Sequence, residues 1–135
     1  SLEVIISIIF GTVKFNYGWE TECCLWYNKN LCKITINAVS YSENDEINTE
    51  QMQAFLCFLR EKETLVEQAE SKITEFGDKA NYIPTLLLIK QNGDMGLIFD
   101  DKTDSESGIV ITFAPDVSIL SPDQYLKIYD EIHKI

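Results

Sequence analysis

The densest group of side chains able to do chemistry is a set of four carboxylates that precedes Gly108: Asp100, Asp101, Asp104 and Glu106. Carboxylate oxygens are the ligands that Ca²⁺ and Mg²⁺ prefer, and Asp100, Asp104 and Glu106 would supply them. The spacing does not match the EF-hand loop. Asp and Ser also favour turns, because their side chains bond to nearby backbone N–H groups. Three interpretations of this acidic loop are therefore open: a solvated turn, a surface for a protein partner, or a metal site.

Apart from these acids, the sequence contains no group of residues typical of an active site. His133 is the only histidine, and no serine or cysteine has an evident pairing with it as a nucleophile. Its charge would be tolerated near the end of a C-terminal helix because of the helix dipole. The glycine-rich motifs that cradle phosphates do not occur in the sequence. We therefore predict no enzyme activity and no cofactor.

Aromatic side chains concentrate in one segment of the N-terminal half, where Tyr17, Trp19, Trp26 and Tyr27 occur close together. Packing in the core is one interpretation of this cluster. Tryptophan and tyrosine are also enriched among the residues that dominate binding energy at protein interfaces. Trp19 and Trp26 are therefore candidate partner-binding residues.

The net charge limits the classes of partner. The chain has 11 basic and 22 acidic residues in 135, which gives a formal charge of −11. A field of this sign repels nucleic acid and anionic membranes. It attracts a basic protein and speeds the encounter, although solubility alone is the alternative interpretation. We predict a basic protein partner, no nucleic acid and no membrane, and the charge carries no signal for an oligomeric state.

The apolar runs and the cysteines bear on the cellular compartment. The run Val4–Phe10 is shorter than the roughly 20 residues of a membrane helix, and it lacks the basic flank and cleavage site of a signal peptide. Cys23, Cys24, Cys32 and Cys57 lack metal-binding spacing, so we expect reduced thiols in a cytosolic protein. Cys24 and Cys32 are expected to fill one buried face.

The elements that position the aromatic cluster are predicted to be strands. The β-branched segment Glu3–Phe10 predicts a strand buried on both faces. Trp19–Tyr27 and Leu31–Ser40 predict a hairpin closed by a loop over Asn28–Asn30. With that loop, the expected cross-strand pairs are Trp26 with Cys32 and Cys24 with Ile34.

A long helix is predicted after the hairpin. Asn48 and Gln51 form the pattern of a capping box, and Gly77 is expected to end the helix in the left-handed conformation. A kink or a break is expected near Lys62–Thr64, where the apolar pattern is interrupted. The predicted buried stripe, with spacings of three and four residues, consists of Met52, Phe55, Leu56, Leu59, Val66, Ala69, Ile73 and Phe76, widened by Phe58 and Leu65.

The acidic loop is predicted to lie between two strands of an antiparallel meander. Leu86–Phe113 contains three apolar runs, and the Asn-Gly pair at Asn92 between the first two is a strong hairpin signal. Pro84 is expected at an edge or at the start of a strand. The acidic loop separates the second run from the third.

A second, shorter helix is predicted near the end of the chain. Ser121 is expected to cap it, Pro122 to occupy its first position and Gln124 to complete a capping box. Its apolar face would contain Tyr125, Ile128, Tyr129 and Ile132. The order of elements predicts a single α+β domain over residues 1–135. Its mainly antiparallel sheet would have one long central helix and one C-terminal helix packed on it.

Short motifs that occur together along most of the chain carry a resemblance. They are Asn16-Tyr17-Gly18-Trp19, Thr49-Glu50-Gln51, Gly93-x-x-Gly96-Leu97, Asp100-Asp101, Asp104-x-Glu106, Gly108-Ile109-Val110-Ile111 and Asp123. Together they resemble a bacterial family of small acidic domains of unknown function, related to immunity proteins of bacterial toxin systems. Family members often have an aromatic residue where Lys102-Thr103 stands here. The resemblance implies a fold and a context without an established enzyme activity.

These observations lead to one expected function and one alternative. We expect a cytosolic, non-enzymatic protein-binding domain, of the immunity type, that inhibits a basic toxin. The expected partner-binding residues are Asp100, Asp101, Asp104, Glu106, Trp19 and Trp26. The alternative is a module that binds a divalent metal or a small ligand through the acidic loop.

Overall fold

The computed structural model describes residues 14–15, 18–40, 42, 44–104 and 106–125. Within these residues seven strands form one sheet, and their spatial order is their order in the chain. The strands are β1 (Lys14–Phe15), β2 (Gly18–Tyr27), β3 (Asn30–Val39), β4 (Tyr82–Ile89), β5 (Met95–Asp101), β6 (Ile109–Ala114) and β7 (Ser118–Leu120). Helix α1 (Thr49–Thr74) and a 3₁₀ turn (Lys79–Asn81) connect β3 to β4. The predicted strand Glu3–Phe10 lies outside the described residues.

The sheet is antiparallel except at one pair of neighbouring strands. β3 and β4 run parallel, with Thr35 opposite Leu86, and all other described pairs are antiparallel. Parallel neighbours need a long crossover connection, and α1 supplies it. This arrangement confirms the predicted α+β class with a mainly antiparallel sheet.

The start of α1 is the predicted capping box. The Asn48 side chain accepts a hydrogen bond from the Gln51 backbone N–H at 2.8 Å, and the Gln51 side chain accepts one from the Asn48 N–H at 3.2 Å. The helix is continuous over 26 residues, so the break expected at Lys62–Thr64 does not occur. Among the described helices, none is both long enough and apolar enough to cross a membrane.

The predicted left-handed end at Gly77 is wrong. Only Gly18 and Gly93 have positive φ angles among the described glycines. The last turn instead tightens, because the N–H groups of Phe76 and Gly77 both bond to the carbonyl of Ile73, at 3.2 and 3.0 Å. Hydrogen bonds of this kind satisfy end carbonyls without a left-handed residue.

The buried face of α1 is rotated from the predicted stripe. Phe58 is fully buried, whereas Leu56, Leu59 and Phe76 are 44%, 39% and 51% exposed, so their predicted burial is wrong. At roughly 100° per residue, Leu56 lies about 160° around the helix from Phe58. The buried residues of α1 are Gln51, Met52, Ala54, Phe55, Phe58, Leu65, Val66, Ala69 and Ile73.

The predicted register of the first hairpin is wrong by one residue. Asn28 and Lys29 both have positive φ, 49° and 63°, and they form a two-residue turn between β2 and β3. Turns with two such residues match the twist of the flanking strands. The observed pairs are Trp26 with Leu31, Leu25 with Cys32, Cys24 with Lys33 and Cys23 with Ile34.

The register decides which cysteines face the core. Residues directly opposite each other on antiparallel strands share a face of the sheet. Cys24 lies opposite Lys33 and is exposed, whereas Cys32 lies opposite the buried Leu25 and is half-buried. The expected common buried face for Cys24 and Cys32 is therefore wrong, although all four cysteines are free thiols.

The main core lies between α1 and the face of the sheet that we call the inner face. It contains side chains from α1 and from β2 to β6. The sheet residues buried there include Leu25, Ile34, Ile36, Leu87, Ile89, Leu97, Phe99, Ile111 and Phe113. Because side chains alternate along a strand, the residues between them face the opposite side, the outer face.

The C-terminal helix begins on the outer face. Ser121 and Gln124 form the predicted second capping box, and residues 122–125 are helical. Tyr125 is 3% exposed and packs with Val110 and neighbouring outer-face residues. Tyr125 lies over Gly96, where an added Cβ would be 3.0 Å from Tyr125 Cζ. The predicted apolar positions Ile128, Tyr129 and Ile132 lie outside the described residues.

The meander of β4, β5 and β6 agrees with its prediction. Gly93 has a φ of 91°, and the Gly93 N–H donates to the Lys90 carbonyl at 2.9 Å within the β4–β5 turn. Pro84 lies near the start of β4, as expected, and it is followed by an irregularity in the pairing with β5. The strand itself is central, since β3 and β5 flank it.

Candidate functional site

One end of the sheet, which we call the open end, brings together segments far apart in the chain. Since β3 and β4 are parallel, both begin at this end, and their antiparallel neighbours β2 and β5 finish there. The turn at Asn28 and Lys29 and the acidic loop therefore occupy the same end. The loop is also joined to the start of β4, because the Lys102 N–H donates to the Asn81 carbonyl at 2.8 Å.

The acidic loop is ordered by its own side chains. The Asp101 carboxylate accepts hydrogen bonds from the Thr103 N–H at 2.8 Å and from its hydroxyl at 2.7 Å. The Asp104 carboxylate accepts from the Ser107 hydroxyl and from the Glu106 N–H. These bonds, led by the Thr103 and Ser107 hydroxyls, hold the pKa of both carboxyls below the ordinary value. Both side chains are therefore charged well below neutral pH.

The metal-site alternative receives no geometric support. In the residues that the structure describes, no three His, Cys, Asp or Glu side chains are grouped closely enough to hold an ion. Asp100 lies opposite Ile83, on the outer face, because the preceding Phe99 is in the inner core. Asp100, Asp104 and Glu106 are not gathered around one point.

Two large apolar side chains stand exposed at the same end of the sheet as the acidic loop. Trp26 is 62% exposed and Leu31, its cross-strand partner, is 59% exposed. Both face outward, since the residues flanking Trp26, Leu25 and Tyr27, are buried in the inner core. Ile83 is 39% exposed on the outer face of β4. The open end therefore combines apolar surface with acidic surface.

The structure separates the two tryptophans. Trp19 lies on the inner face of β2, opposite Ala38, packed at the margin of the core. Its indole N–H donates to the Asp45 carbonyl at 2.7 Å. Trp19 is thus mainly a packing residue at the far end of the hairpin, whereas Trp26 lies at the open end with the acidic loop.

The hairpin tip that holds Trp26 is braced by α1 and the 3₁₀ turn. The Tyr27 hydroxyl donates to the Lys79 carbonyl at 2.6 Å. The Glu70 carboxylate accepts from the Asn28 N–H and lies 3.6 Å from the Lys79 ammonium group. Burial, and next the negative charge of Glu70, raise the pKa of the Tyr27 phenol. The tip is therefore held at fixed contacts rather than left as a free loop.

Sequence reasoning missed Leu31, Ile83 and Glu70 as contributors to this end. Leu31 and Ile83 each occupy the second position of a strand, and their outward direction depends on register. Glu70 is one of many acids on α1, and its contact with Asn28 crosses 42 positions of sequence. The sequence did contain one usable signal for Leu31. Predicting a two-residue turn at Asn28 and Lys29 would have placed Leu31 opposite Trp26 on the same face of the sheet.

Comparison with known proteins does not assign the chain to a family. No family model matches the chain, and no curated protein and no solved structure matches it. The resemblance to small acidic bacterial domains therefore stays a prediction.

Proposed function

We propose that this protein is a non-enzymatic binding domain for a basic protein, and that the open end of the sheet is its binding surface. One observation carries the proposal: the exposed pair of Trp26 and Leu31 lies at the same end of the sheet as the acidic loop. Interfaces commonly combine a few large apolar anchors with a polar rim.

The two parts of this surface would act at different stages of binding. The formal charge of −11 draws a basic protein toward the domain, and the ionised loop at Asp101, Asp104 and Glu106 orients it. Trp26 and Leu31 then lose exposed apolar surface in the complex, which slows dissociation. The braced hairpin tip supports this division, because an anchor already held in place costs less entropy to immobilise.

We further propose a cytosolic location and an immunity-type role. The four free thiols support the location, because disulfides are rare in the cytosol. The resemblance of the acidic motifs supports the role, in which the partner is a basic toxin encoded by a neighbouring gene. A neighbouring metabolic operon would argue against this narrower role.

The experiment measures how fast the domain associates with the protein that the neighbouring gene encodes. The test variant combines Asp101→Asn, Asp104→Asn and Glu106→Gln. Asn keeps the acceptor oxygen used by the backbone N–H groups of Thr103 and Glu106. At position 104 its amide can donate to the Ser107 hydroxyl in place of the bond that Asp104 accepts, so the loop should keep its fold. We expect association about tenfold slower at low ionic strength, and a difference that shrinks as salt screens the charges.

The matched control removes the same amount of charge elsewhere. Glu61→Gln, Glu63→Gln and Glu67→Gln neutralise three exposed carboxylates in the middle of α1. If the open end is the binding surface, this control should slow association far less than the loop variant. Equal rates for the two variants at every salt concentration would show that only the total charge matters, and would reject the open end as the site.

A further inference from the structure

The outer face of the sheet carries an apolar strip that continues inward from the open end. Trp26, Leu31 and Ile83 are its exposed members. Leu86 and Ile98 lie opposite each other on β4 and β5, half-buried on the same face. The strip therefore crosses four neighbouring strands, β2 to β5, and it is distinct from the acidic loop at its border.

We infer that this strip docks the apolar face of a basic amphipathic helix belonging to the partner. The inference rests on the proposed function, and it adds the kind of segment that the partner presents. A sheet face buries its apolar side chains against helices. In this chain α1 does so on the inner face, and residues 122–125 begin to do so on the outer face through Tyr125.

Charge decides between a partner and a second copy of this chain. Asp100, the first carboxylate of the acidic loop, borders the strip opposite Ile83, and the rest of the loop follows it. Lys33 on the same face is paired with Glu22 at 2.9 Å, and Lys29 lies in the turn between β2 and β3, so the carboxylates of the border outnumber the lysines near the strip. Two copies meeting through this face would bring two such acidic borders together, whereas a helix flanked by lysine and arginine would neutralise them.

The length of the docked segment follows from the width of the strip. Four strands at about 4.8 Å spacing span roughly 14 Å. A helix rises about 1.5 Å per residue, so about ten residues cross the strip and a peptide of about 15 overlaps both borders. Apolar residues at spacings of three and four would face the sheet, with lysines on the remaining positions.

The test uses two synthetic peptides of about 15 residues and a tryptophan reporter. The first peptide has leucines on one helical face and lysines elsewhere, and the second replaces the leucines with serines. The chain contains two tryptophans, so Trp19→Phe leaves Trp26 as the only one. We expect the leucine peptide to shift the Trp26 emission to shorter wavelength, and to bind at least about tenfold more tightly than the serine peptide.

Variants of the strip locate the binding site. Leu31→Ser and Ile83→Ser should each weaken binding of the leucine peptide about tenfold or more. Leu56→Ser is the matched control, because Leu56 is also an exposed leucine, 44% exposed, but lies on α1. Thermal melts of all three variants check that the fold is retained. A loss of affinity in Leu56→Ser equal to that in Leu31→Ser would overturn the inference.

The outcomes separate this inference from the proposed function. If both peptides bind equally and only the loop neutralisation weakens them, the strip is not a dock while the electrostatic proposal stands. If the strip variants weaken the leucine peptide and the loop variant has no effect, the dock stands and the acidic rim is rejected. A dimer in sedimentation of the protein alone, abolished by Leu31→Ser, would assign the strip to a second copy and overturn the inferred partner.

Discussion

The two ends of the sheet use their polar side chains in opposite ways. At the end where β3 and β4 finish, which we call the closed end, Gln51 is 1% exposed and its amide donates to the carbonyls of Val39 and Ile89, at 2.9 and 3.3 Å. The Asn48 amide adds a bond to the Gln91 carbonyl at 2.8 Å. These side chains tie α1 to the ends of two strands.

At the open end, the polar side chains bond mostly within their own loop. Asp101 and Asp104 accept hydrogen bonds from neighbours two or three positions away, and their charges stay exposed. Among the described residues, Tyr27 and Glu70 connect this end to the helix side of the molecule, and Lys62 of α1 donates to the Cys24 carbonyl of the same hairpin at 2.6 Å. The side chains of the closed end therefore contribute mainly to stability, whereas those of the open end leave surface available for binding.

The largest expected effect on stability comes from removing the hydrogen bonds of the Gln51 side chain at the closed end. Gln51→Leu keeps the approximate volume but leaves the carbonyls of Val39 and Ile89 and the N–H of Asn48 without their present partner. A buried polar group without a partner costs about 1–3 kcal/mol, so we expect the free energy of unfolding to fall by about 3 kcal/mol. Urea unfolding followed by circular dichroism measures this change.

The control for this prediction is Gln53→Leu, which makes the same substitution at an exposed position of the same helix. It should change the free energy of unfolding by less than about 0.5 kcal/mol. Similar losses in both variants would mean that Gln51 contributes through helix propensity and not through its contacts with the strands.

A smaller effect is expected from ionising Tyr27, which braces the open end. Burial raises the pKa of this phenol in the folded state, so folding favours the protonated form. The contribution of the Tyr27 phenol to stability is therefore fully present below about pH 10, the pKa of an unfolded tyrosine, and it is lost as the pH rises above that value. Burial raises the pKa of Tyr125 as well, so each tyrosine should contribute a loss of about 1 kcal/mol between pH 9 and pH 11.

Tyr27→Phe isolates the contribution of the brace. The variant loses the hydrogen bond to the Lys79 carbonyl, so it should be less stable at pH 8. Its stability should nevertheless fall less steeply than that of the wild type between pH 9 and pH 11. If the free energies of unfolding of the two proteins fall in parallel between pH 9 and pH 11, burial does not raise the pKa of Tyr27. The hairpin tip would then not be held in place by this side chain.

The smallest expected effect is a gain in stability from a substitution in the turn at Asn28 and Lys29. Lys29 has a φ of 63°, a conformation that costs an L-residue with a side chain about 1 kcal/mol and costs glycine little. Lys29→Gly should therefore raise the free energy of unfolding by about 0.5–1 kcal/mol. Lys29→Ala also removes the charge but keeps the Cβ, so it should give no such gain. If the two variants are equally stabilised, the cause is the lost charge and not the turn.

The parts of the fold that sequence predicted well depend on local interactions. The capping boxes at Asn48 and Ser121 involve residues three positions apart. The Asn-Gly turn joins adjacent strands, so the meander also follows from short-range signals. The acidic loop was located correctly for the same reason, since its Asp and Ser side chains bond to near neighbours.

The errors arise where a residue's direction depends on distant partners. The β2–β3 register shifted because the turn at Asn28 and Lys29 has two residues instead of three, and a shift of one residue exchanges the faces. Leu56 has the apolar character of a core residue, but the sheet contacts the side of α1 centred near Phe58. Helical periodicity identifies a stripe only when one stripe is apolar, and α1 has apolar residues on two sides.

The type of most elements, their caps and turns, the negative charge and the position of the acidic loop follow from the sequence alone. The alternation of side chains also requires that Trp19 and Trp26, seven positions apart on one strand, face opposite sides of the sheet. Which tryptophan is exposed depends on the packing of α1, which covers the face that holds Trp19. The parallel pairing of β3 with β4 then placed Trp26 and the acidic loop at one end. That pairing joins residues about 50 positions apart through a crossover helix, a distance at which local propensities carry no information.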